Sequence, residues 1–290
     1  MTAQIQTSSI LPKMRLKYFL LLCRPLNVLI GMLSIFMGAF IAGSLEPRLK
    51  VLLASLSGGV IAAAANAIND VYDVAIDRIN KPQRPIAAGI ISPREGYYFS
   101  MGLFGMGMVL GAAINWPAFV ISLLSSILLF WYSAQLKRTV FWGNFVVSLV
   151  TALAFIYGGV AVSRFGYSLI PAVFSFFYHL GREIIKDTED VIGDRADNAQ
   201  TLPIRYGKTV ALRAALWIYL TLILLTIVPY LLKIFGIYYL ILVLGIVDAV
   251  IVYVLFSMFR RADAQNLSRL SLILKLNMFA GLVAIYVGRF

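Results

Sequence analysis

The sequence contains a single cysteine, Cys23, among its 290 residues. One cysteine cannot form an internal disulfide, and it cannot supply a Cys-x-x-Cys metal site. Gly/Ser-rich linkers and low-complexity tracts are also missing. The first twelve residues are polar and the apolar run Tyr18–Cys23 is short, so we expect no secretory signal. These absences favour one continuous domain over residues 1–290.

Long polar stretches are scarce as well, since 61% of the residues are hydrophobic and the mean hydropathy is +0.87. Apolar stretches of about 18–23 residues recur along the whole chain, which is typical of transmembrane helices. The pattern predicts an all-α integral membrane protein, with residues 1–24 forming an N-terminal interfacial segment. We place nine transmembrane helices near residues 25–43, 51–73, 96–114, 117–134, 141–162, 166–187, 209–232, 236–259 and 269–288.

The 25 basic residues give a formal net charge of +12, and they are unevenly distributed. With nine spans, one side of the membrane receives only five of them: Arg48, Lys50, Arg164, Lys233 and Arg289. By the positive-inside rule, the N-terminus and the basic loops are cytoplasmic. The basic residues lie at helix ends without a basic-aromatic binding module, so we expect membrane lipid and not nucleic acid as their partner.

Acidic residues are few, 13 in all, and most of them fall in two windows. The windows lie at the predicted cytoplasmic ends of the second and sixth spans. They contain Asp70, Asp73 and Asp77 in the first, and Glu183, Asp187, Glu189, Asp190, Asp194 and Asp197 in the second. A carboxylate at the centre of a membrane helix costs about 2.5–3.5 kcal/mol on insertion scales, so this concentration indicates a functional site.

The spacing of the acids is the same in both windows. Three aspartates stand at i, i+3 and i+7 in each, which places them on one face of a helix. Like charges this close stay ionised only beside a cation, and oxygen ligands without His or Cys favour Mg²⁺ or Ca²⁺. Two such clusters near Lys and Arg indicate metal ions that hold a diphosphate. The alternative is that the carboxylates form salt bridges with Arg78, Arg84 and Arg195.

Two segments resemble the aspartate-rich motifs of the UbiA-type intramembrane prenyltransferases. They are NDVYDVAIDRINKPQRPIAAGIIS from Asn69 and REIIKDTEDVIGDRADNAQTLPIRYG from Arg182, and RPLNVLIG and YSAQLKRTVFWGN resemble two further family segments. The resemblance implies a bundle of nine helices around a central cavity. It also implies Mg²⁺ and a polyprenyl diphosphate donor held between the two motifs at the cytoplasmic mouth.

The resemblance also assigns roles to residues. The expected metal ligands are Asn69, Asp70, Asp73, Asp77, Asp187, Asp190 and Asp194, of which Asp73, Asp77, Asp190 and Asp194 are the expected catalytic residues. The expected substrate-binding residues are Arg24, Asn27, Asn66, Arg84, Tyr132, Lys137, Lys186 and Arg195. The only histidine, His179, is either a general base for the acceptor hydroxyl or a buried packing residue.

Within the family, the second motif looks most like that of the digeranylgeranylglyceryl phosphate synthases. That resemblance implies transfer of a geranylgeranyl group to geranylgeranylglyceryl phosphate in ether-lipid synthesis, at the cytoplasmic side of the cell membrane. The segments VIGD and IAAG depart from the pattern of that subfamily, which leaves an aromatic acceptor of quinone-type biosynthesis as an alternative. A cation channel or transporter is a remote alternative, because the acids lie at one side only.

Overall fold

The computed structural model describes residues 12–196 and 198–289, and this part of the chain is helical and contains no strand. Residues 1–11 of the predicted interfacial segment lie outside the described residues. The helices are α1 Pro12–Cys23, α2 Pro25–Ile41, α3 Arg48–Tyr72, α4 Val74–Asn80, α5 Pro93–Ala112, α6 Trp116–Ala134, α7 Trp142–Ala161, α8 Leu169–Glu189, α9 Val191–Ala196, α10 Leu202–Tyr206, α11 Lys208–Leu231, α12 Ile237–Leu242, α13 Ala249–Arg260 and α14 Ala264–Val287. A wide π-helical turn, Val243–Asp248, joins α12 to α13.

A long helix, or the continuous pair α12–α13, coincides with each predicted span. Within the described residues, six of these segments are long and apolar enough to cross a membrane, and α1 with α2 makes a seventh that bends by 47°. Of the two remaining segments, α8 is interrupted by Arg182 and Glu183, whereas α5 begins with Arg94 and Glu95 and contains several glycines. The count of nine crossings therefore stays a prediction.

Helix starts follow local chemistry. Proline occupies the first or second position of α2, α5 and α6, where the missing N–H is not needed. Ser92 and Glu95 form a reciprocal capping box at the start of α5. The side chain of Asp263 accepts from the N–H of Asn266 and caps α14 in the same way. These caps fix the helix boundaries at the loops that surround the site.

Glycines allow the helices beside the central cavity to pack closely. A Cβ atom on Gly158 of α7 would lie 1.8 Å from the backbone oxygen of Ile35 in α2. A Cβ atom on Gly38 of α2 would lie 2.0 Å from the backbone oxygen of Phe155 in α7. The backbones of α2 and α7 therefore touch at these positions, as small residues permit in membrane proteins.

The two acidic motifs adopt the same local structure. Asp73 separates α3 from α4 with φ −95° and ψ 8°, and Asp190 separates α8 from α9 with φ −86° and ψ 6°. The prediction that the three aspartates of each motif share one continuous helical face is therefore wrong. The backbone leaves helical ψ at the middle aspartate of each motif, so the helix is interrupted there.

The short helices that follow the motifs pack against each other. A Cβ atom on Gly193 of α9 would lie 2.3 Å from the side-chain nitrogen of Asn80 in α4, and α4 contacts α9 directly. Only glycine allows Asn80 to lie this close to the α9 backbone. The contact brings the ends of the two motifs together at one end of the bundle.

Candidate active site

Arg84 connects two aspartates of the first motif. Its Nη1 donates to both carboxylate oxygens of Asp77, at 2.8 and 2.7 Å, and lies 3.2 Å from Asp70 Oδ1. Arg24, which occupies the left-handed region between α1 and α2, also bonds Asp70. Asp70 and Asp77 are only 2% and 3% exposed, so these guanidinium groups supply the charge compensation that buried carboxylates require.

The middle aspartate of the first motif has a different partner. Asp73 forms an ion pair with Lys137, which lies in a short turn after α6. Asn69 lies one turn before Asp73, and its side-chain oxygen is buried without a hydrogen-bond partner. A buried, unpaired oxygen beside a carboxylate is a position where a ligand is expected to supply the missing interaction.

The second motif lies against α4 and α7. Asp187 accepts a hydrogen bond from Asn144 of α7 at 2.8 Å. Asp190 accepts from Asn80 at 3.5 Å and pairs with Lys81 at 3.4 Å. The two contacts of Asp190 connect the second motif to the first, since Asn80 and Lys81 directly follow the first motif in the sequence.

The remaining residues of the second motif lie on α9. Asp194 is half-buried in its first turn. Arg195 is exposed on α9, outside the cavity lining. Of the expected substrate-binding residues, Arg195 is therefore the one that the structure does not bring to the others.

A cavity of about 490 Å³ lies between the helices and has one polar end. Seven of the eight expected substrate-binding residues lie at this end or pair with a motif residue there: Arg24, Asn27, Asn66, Arg84, Tyr132 and Lys186 line it, and Lys137 binds Asp73. Asn66 donates to the carbonyl oxygen of Cys23 at 2.9 Å, and Asn27 donates to Asn66 at 3.3 Å. These amide contacts hold the bend between α1 and α2 against α3.

The deeper part of the cavity is lined mainly by aliphatic residues and serines of α2, α3, α6 and α7, such as Ile35, Ile61, Leu129 and Val150. A smaller cavity of about 80 Å³ adjoins it and shares several lining residues with it, among them His179. The space thus combines a charged mouth with apolar depths, which suits a ligand with an anionic head and a hydrocarbon tail.

Burial changes the ionisation of the groups at the mouth. Desolvation raises the pKa of the Asp77 carboxyl, although the Arg84 guanidinium opposes the shift. Desolvation also lowers the pKa of the Lys81 ammonium, and the Asp190 carboxylate opposes that shift. In both groups burial disfavours the charged form, and the neighbouring opposite charge favours it.

The donor set at the mouth fits Mg²⁺. It consists of carboxylate and amide oxygens, the ligands that Mg²⁺ prefers, and it includes the unpartnered oxygen of Asn69. Among the described residues, no three His, Cys, Asp or Glu side chains lie close enough to hold a metal by themselves. Mg²⁺ in proteins typically uses one or two carboxylates and completes its shell with water and substrate phosphate.

Several residues at this site were not predicted from the sequence. Asn144 supports Asp187, and Arg182 and Lys275 line the cavity opposite the first motif. Asn144 belongs to the segment YSAQLKRTVFWGN, whose resemblance to a family segment could have identified it as a site residue. Lys275 lies in an apolar helix without any motif, and only its charge in a span could have identified it.

The model of the UbiA prenyltransferase family matches residues 31–280, which is most of the chain. The chain belongs to the UbiA prenyltransferase family. This confirms the expectation of an enzyme that transfers prenyl groups, and the apolar helices place this family member among multi-pass membrane proteins.

The similar UbiA proteins share a name. The digeranylgeranylglyceryl phosphate synthase of Methanopyrus kandleri is 37% identical over 271 residues, which cover 93% of this chain and 98% of that protein. The protein of the same name from Saccharolobus solfataricus is 36% identical over 279 residues, with coverage of 95% and 98%. The family and subfamily resemblance read from the motifs is therefore confirmed.

Solved UbiA structures have the same fold. A structure reported for digeranylgeranylglyceryl phosphate synthase in membranes has a TM-score of 0.75 and 36% identity, and the match covers 95% of this chain and 98% of that one. A UbiA homolog from Archaeoglobus fulgidus bound to GPP and Mg²⁺ has a TM-score of 0.70 at 22% identity, with coverage of 93% and 100%. The all-α UbiA architecture is thus confirmed.

Proposed function

We propose that this chain transfers a geranylgeranyl group from its diphosphate to geranylgeranylglyceryl phosphate, in ether-lipid biosynthesis. The observation that carries the proposal is the meeting of two carboxylate motifs, through α4 and α9, at the charged mouth of an apolar cavity. The name and near-complete coverage of the Methanopyrus and Saccharolobus relatives support this choice of reaction.

The oxygen donors of the two motifs would hold Mg²⁺: Asn69, Asp70, Asp73, Asp77, Asp187, Asp190 and Asp194. Mg²⁺ bound there would neutralise charge on the leaving diphosphate. Asp73 and Asp190 have the most direct role, because each is the residue where its motif leaves the helix. Asn144 orients Asp187 by donating to it, as a supporting residue behind a metal ligand does.

The cations of the mouth would bind the diphosphate oxygens. Arg24, Arg84 and Lys137 now pair with aspartates of the first motif, and Tyr132 lines the same end of the cavity. Stabilisation of the departing diphosphate by fixed donors favours cleavage of the allylic C–O bond. The acceptor oxygen then bonds to the prenyl carbon, and its hydroxyl proton passes to the released diphosphate, while the apolar walls hold the tail and limit the entry of water.

Membrane placement follows from the same proposal. Residues 1–290 form one domain with nine crossings, a cytoplasmic N-terminus and the carboxylate mouth at the cytoplasmic side of the cell membrane. The charges of α8 are compatible with crossing because Arg182 and Glu183 line the cavity, and those of α5 lie in its first turn. Cysteine-accessibility labelling from each side would test the orientation.

The experiment is a transfer assay with purified protein, geranylgeranyl diphosphate and two acceptors, geranylgeranylglyceryl phosphate and a phenolic acid. We expect product from the first acceptor only, and none in the presence of a chelator. Asp73→Asn and Asp190→Asn should each lower kcat by at least about 100-fold. Asp263→Asn, which retains an N-cap residue on an exposed loop, is the matched control and should be fully active. Prenylation of the phenolic acid alone would overturn the proposed acceptor.

A further inference from the structure

We propose that Arg182, Lys186 and Lys275 form a binding site for a phosphate monoester, separate from the diphosphate region at the first motif. The site would hold the headgroup of the phosphorylated acceptor. This inference rests on the proposed function for the identity of the ligand, but the site itself is defined by the cations that line the cavity on α8 and α14.

The three cations converge because α8 packs against α14. Arg182 and Lys186 are four residues apart on α8, so they share one face. Arg182 Nε donates to the backbone oxygen of Ser271 in α14 at 3.3 Å, which fixes its guanidinium on that helix. Lys275 lies one turn beyond Ser271 on α14 and also lines the cavity. All three side chains therefore reach the same wall.

The charge at this wall is not balanced locally. Glu183 is the shared partner of two cations, at 3.0 Å from Arg182 and 3.3 Å from Lys186. In the part of the chain that the structure describes, Lys275 forms no ion pair or hydrogen bond. Glu189, the other carboxylate of the lining, lies at the end of α8, where it interacts with Ser268, Lys81 and Lys186. A lysine inside a membrane helix without a partner is expected to face an anion or water.

This wall differs from the region assigned to the diphosphate. Arg24, Arg84 and Lys137 lie on or beside α2, α3 and α6 and are paired with aspartates of the first motif. Arg182 and Lys186 on α8 pair with Glu183, and Lys275 lies on α14; none of the three pairs with an aspartate of the first motif in the described part of the chain. A reaction that joins a diphosphate ester to a phosphate ester needs two anion sites, and the cavity lining has cations on α8 and α14 in addition to those that pair with the first motif. Arg182 supplies planar, paired donors and the lysines supply point charges, a combination that suits a phosphate monoester.

The first experiment compares Lys275→Met with the unchanged protein in steady-state assays with the phosphorylated acceptor. Methionine keeps the unbranched apolar stem and removes the charge. We expect KM for the phosphorylated acceptor to rise roughly 10- to 100-fold, because a charge-assisted hydrogen bond is lost, while KM for the prenyl diphosphate stays within about twofold. Lys275→Arg should restore most of the affinity for the acceptor. A KM that rises for the diphosphate, or for neither substrate, would overturn the proposal.

A second measurement is independent of turnover. Glycerol 1-phosphate, without a prenyl chain, should raise the thermal unfolding temperature of the unchanged protein more than that of Lys275→Met. Lys208→Met is the matched control, because Lys208 is an exposed lysine at the start of α11, and it should respond like the unchanged protein. Equal stabilisation of the Lys275 and Lys208 variants would reject the site. If the site responds but no glycerol acceptor is prenylated, only the proposed reaction fails.

Discussion

Replacing Arg84 by methionine should destabilise the protein more than any other single loss of charge at the first motif. Arg84 is the partner of two aspartates, Asp77 and Asp70, and Asp70 has Arg24 as a second partner. In Arg84→Met the carboxylate of Asp77 would remain buried without its cation. Methionine preserves most of the apolar stem, so the change tests charge and not packing.

The structure sets the size of the effect. The side chains of Asp77 and Arg84 are 5% and 19% exposed, so solvent screens the pair only weakly. Removing one partner of a buried ion pair typically costs about 3–5 kcal/mol, because the other charge remains in a low-dielectric environment. At about 2–4 °C per kcal/mol, the unfolding temperature should fall by roughly 6–20 °C. In the double variant Arg84→Met/Asp77→Asn most of this loss should be recovered, since the uncompensated charge is gone.

The assay is thermal unfolding of the four proteins of this cycle, in one detergent and in the presence of a chelator. We expect a coupling free energy of about 2–3 kcal/mol between the two positions. Arg164→Met, at an exposed turn elsewhere in the bundle, is the control and should unfold at the same temperature as the unchanged protein. If the double variant were as unstable as Arg84→Met, the destabilisation would come from something other than the charge of Asp77.

Three further changes test packing, tail length and metal support. Gly158→Ala should lower the unfolding temperature markedly and lose about 3 kcal/mol or more, because its Cβ would lie 1.8 Å from a backbone oxygen of α2. Gly281→Leu should reduce transfer of the longest prenyl chains relative to shorter ones in a donor panel, because Gly281 lines the smaller cavity and has open space beside it. Gly245 lines neither cavity, so Gly245→Leu is the control and should not change the preference for chain length. Asn144→Ala should raise the Mg²⁺ concentration for half-maximal activity roughly 10- to 100-fold, since Asp187 loses its only described donor.

Much of the fold could be predicted because hydropathy and helix length report directly on segments that cross a membrane. Each predicted span coincides with a helix of the structure, and the ends differ by a few residues only. Caps such as Ser92 are local signals and were also readable in the sequence. The number of membrane crossings was harder to predict. The charges of α8 face the cavity, whereas α5 begins with two charged residues and contains several glycines, and both features lower the hydropathy.

The site was predictable to the extent that its residues lie in local motifs. The spacing of Asp70, Asp73 and Asp77 identified the first motif but not its geometry, since the helix breaks at Asp73: Asp70 and Asp77 meet at Arg84, whereas Asp73 pairs with Lys137. Partners from distant segments could not be read from spacing. Lys275 faces Arg182 through helix packing alone, and a tertiary contact of this kind leaves no periodic trace in one sequence.

The contacts of Asp248 are a second example of tertiary contacts that the sequence alone does not reveal. It lies in the π-helical turn between α12 and α13, is 3% exposed, and is bonded to Thr226 at 3.0 Å. Tyr239 donates to the backbone oxygen of Thr226 at 2.8 Å, which completes a polar contact inside an apolar region. The hydropathy of this segment is the highest among the candidate spans, so composition gave no indication of a polar cluster there.

The ion pairs at the mouth imply that donor and metal binding are coupled. Arg24, Arg84 and Lys137 neutralise the aspartates of the first motif, and the same cations are the ones that would meet the diphosphate. If they turned to the diphosphate, the carboxylates would lose their counter-charge, and a bound divalent cation would restore it. Each ligand should therefore raise the affinity for the other by an equal factor, which linkage requires to be reciprocal.

A non-hydrolysable prenyl thiodiphosphate, titrated calorimetrically with and without Mg²⁺, would measure this coupling. We expect a factor of roughly 10–100, equivalent to about 1.4–2.8 kcal/mol. Lys137→Met should reduce the coupling, because Asp73 would then be without its cation whether or not the donor is bound. If the affinity for the thiodiphosphate did not depend on Mg²⁺, the aspartates and the cations would act separately. The proposal that the cations leave the aspartates to bind the diphosphate would then be wrong.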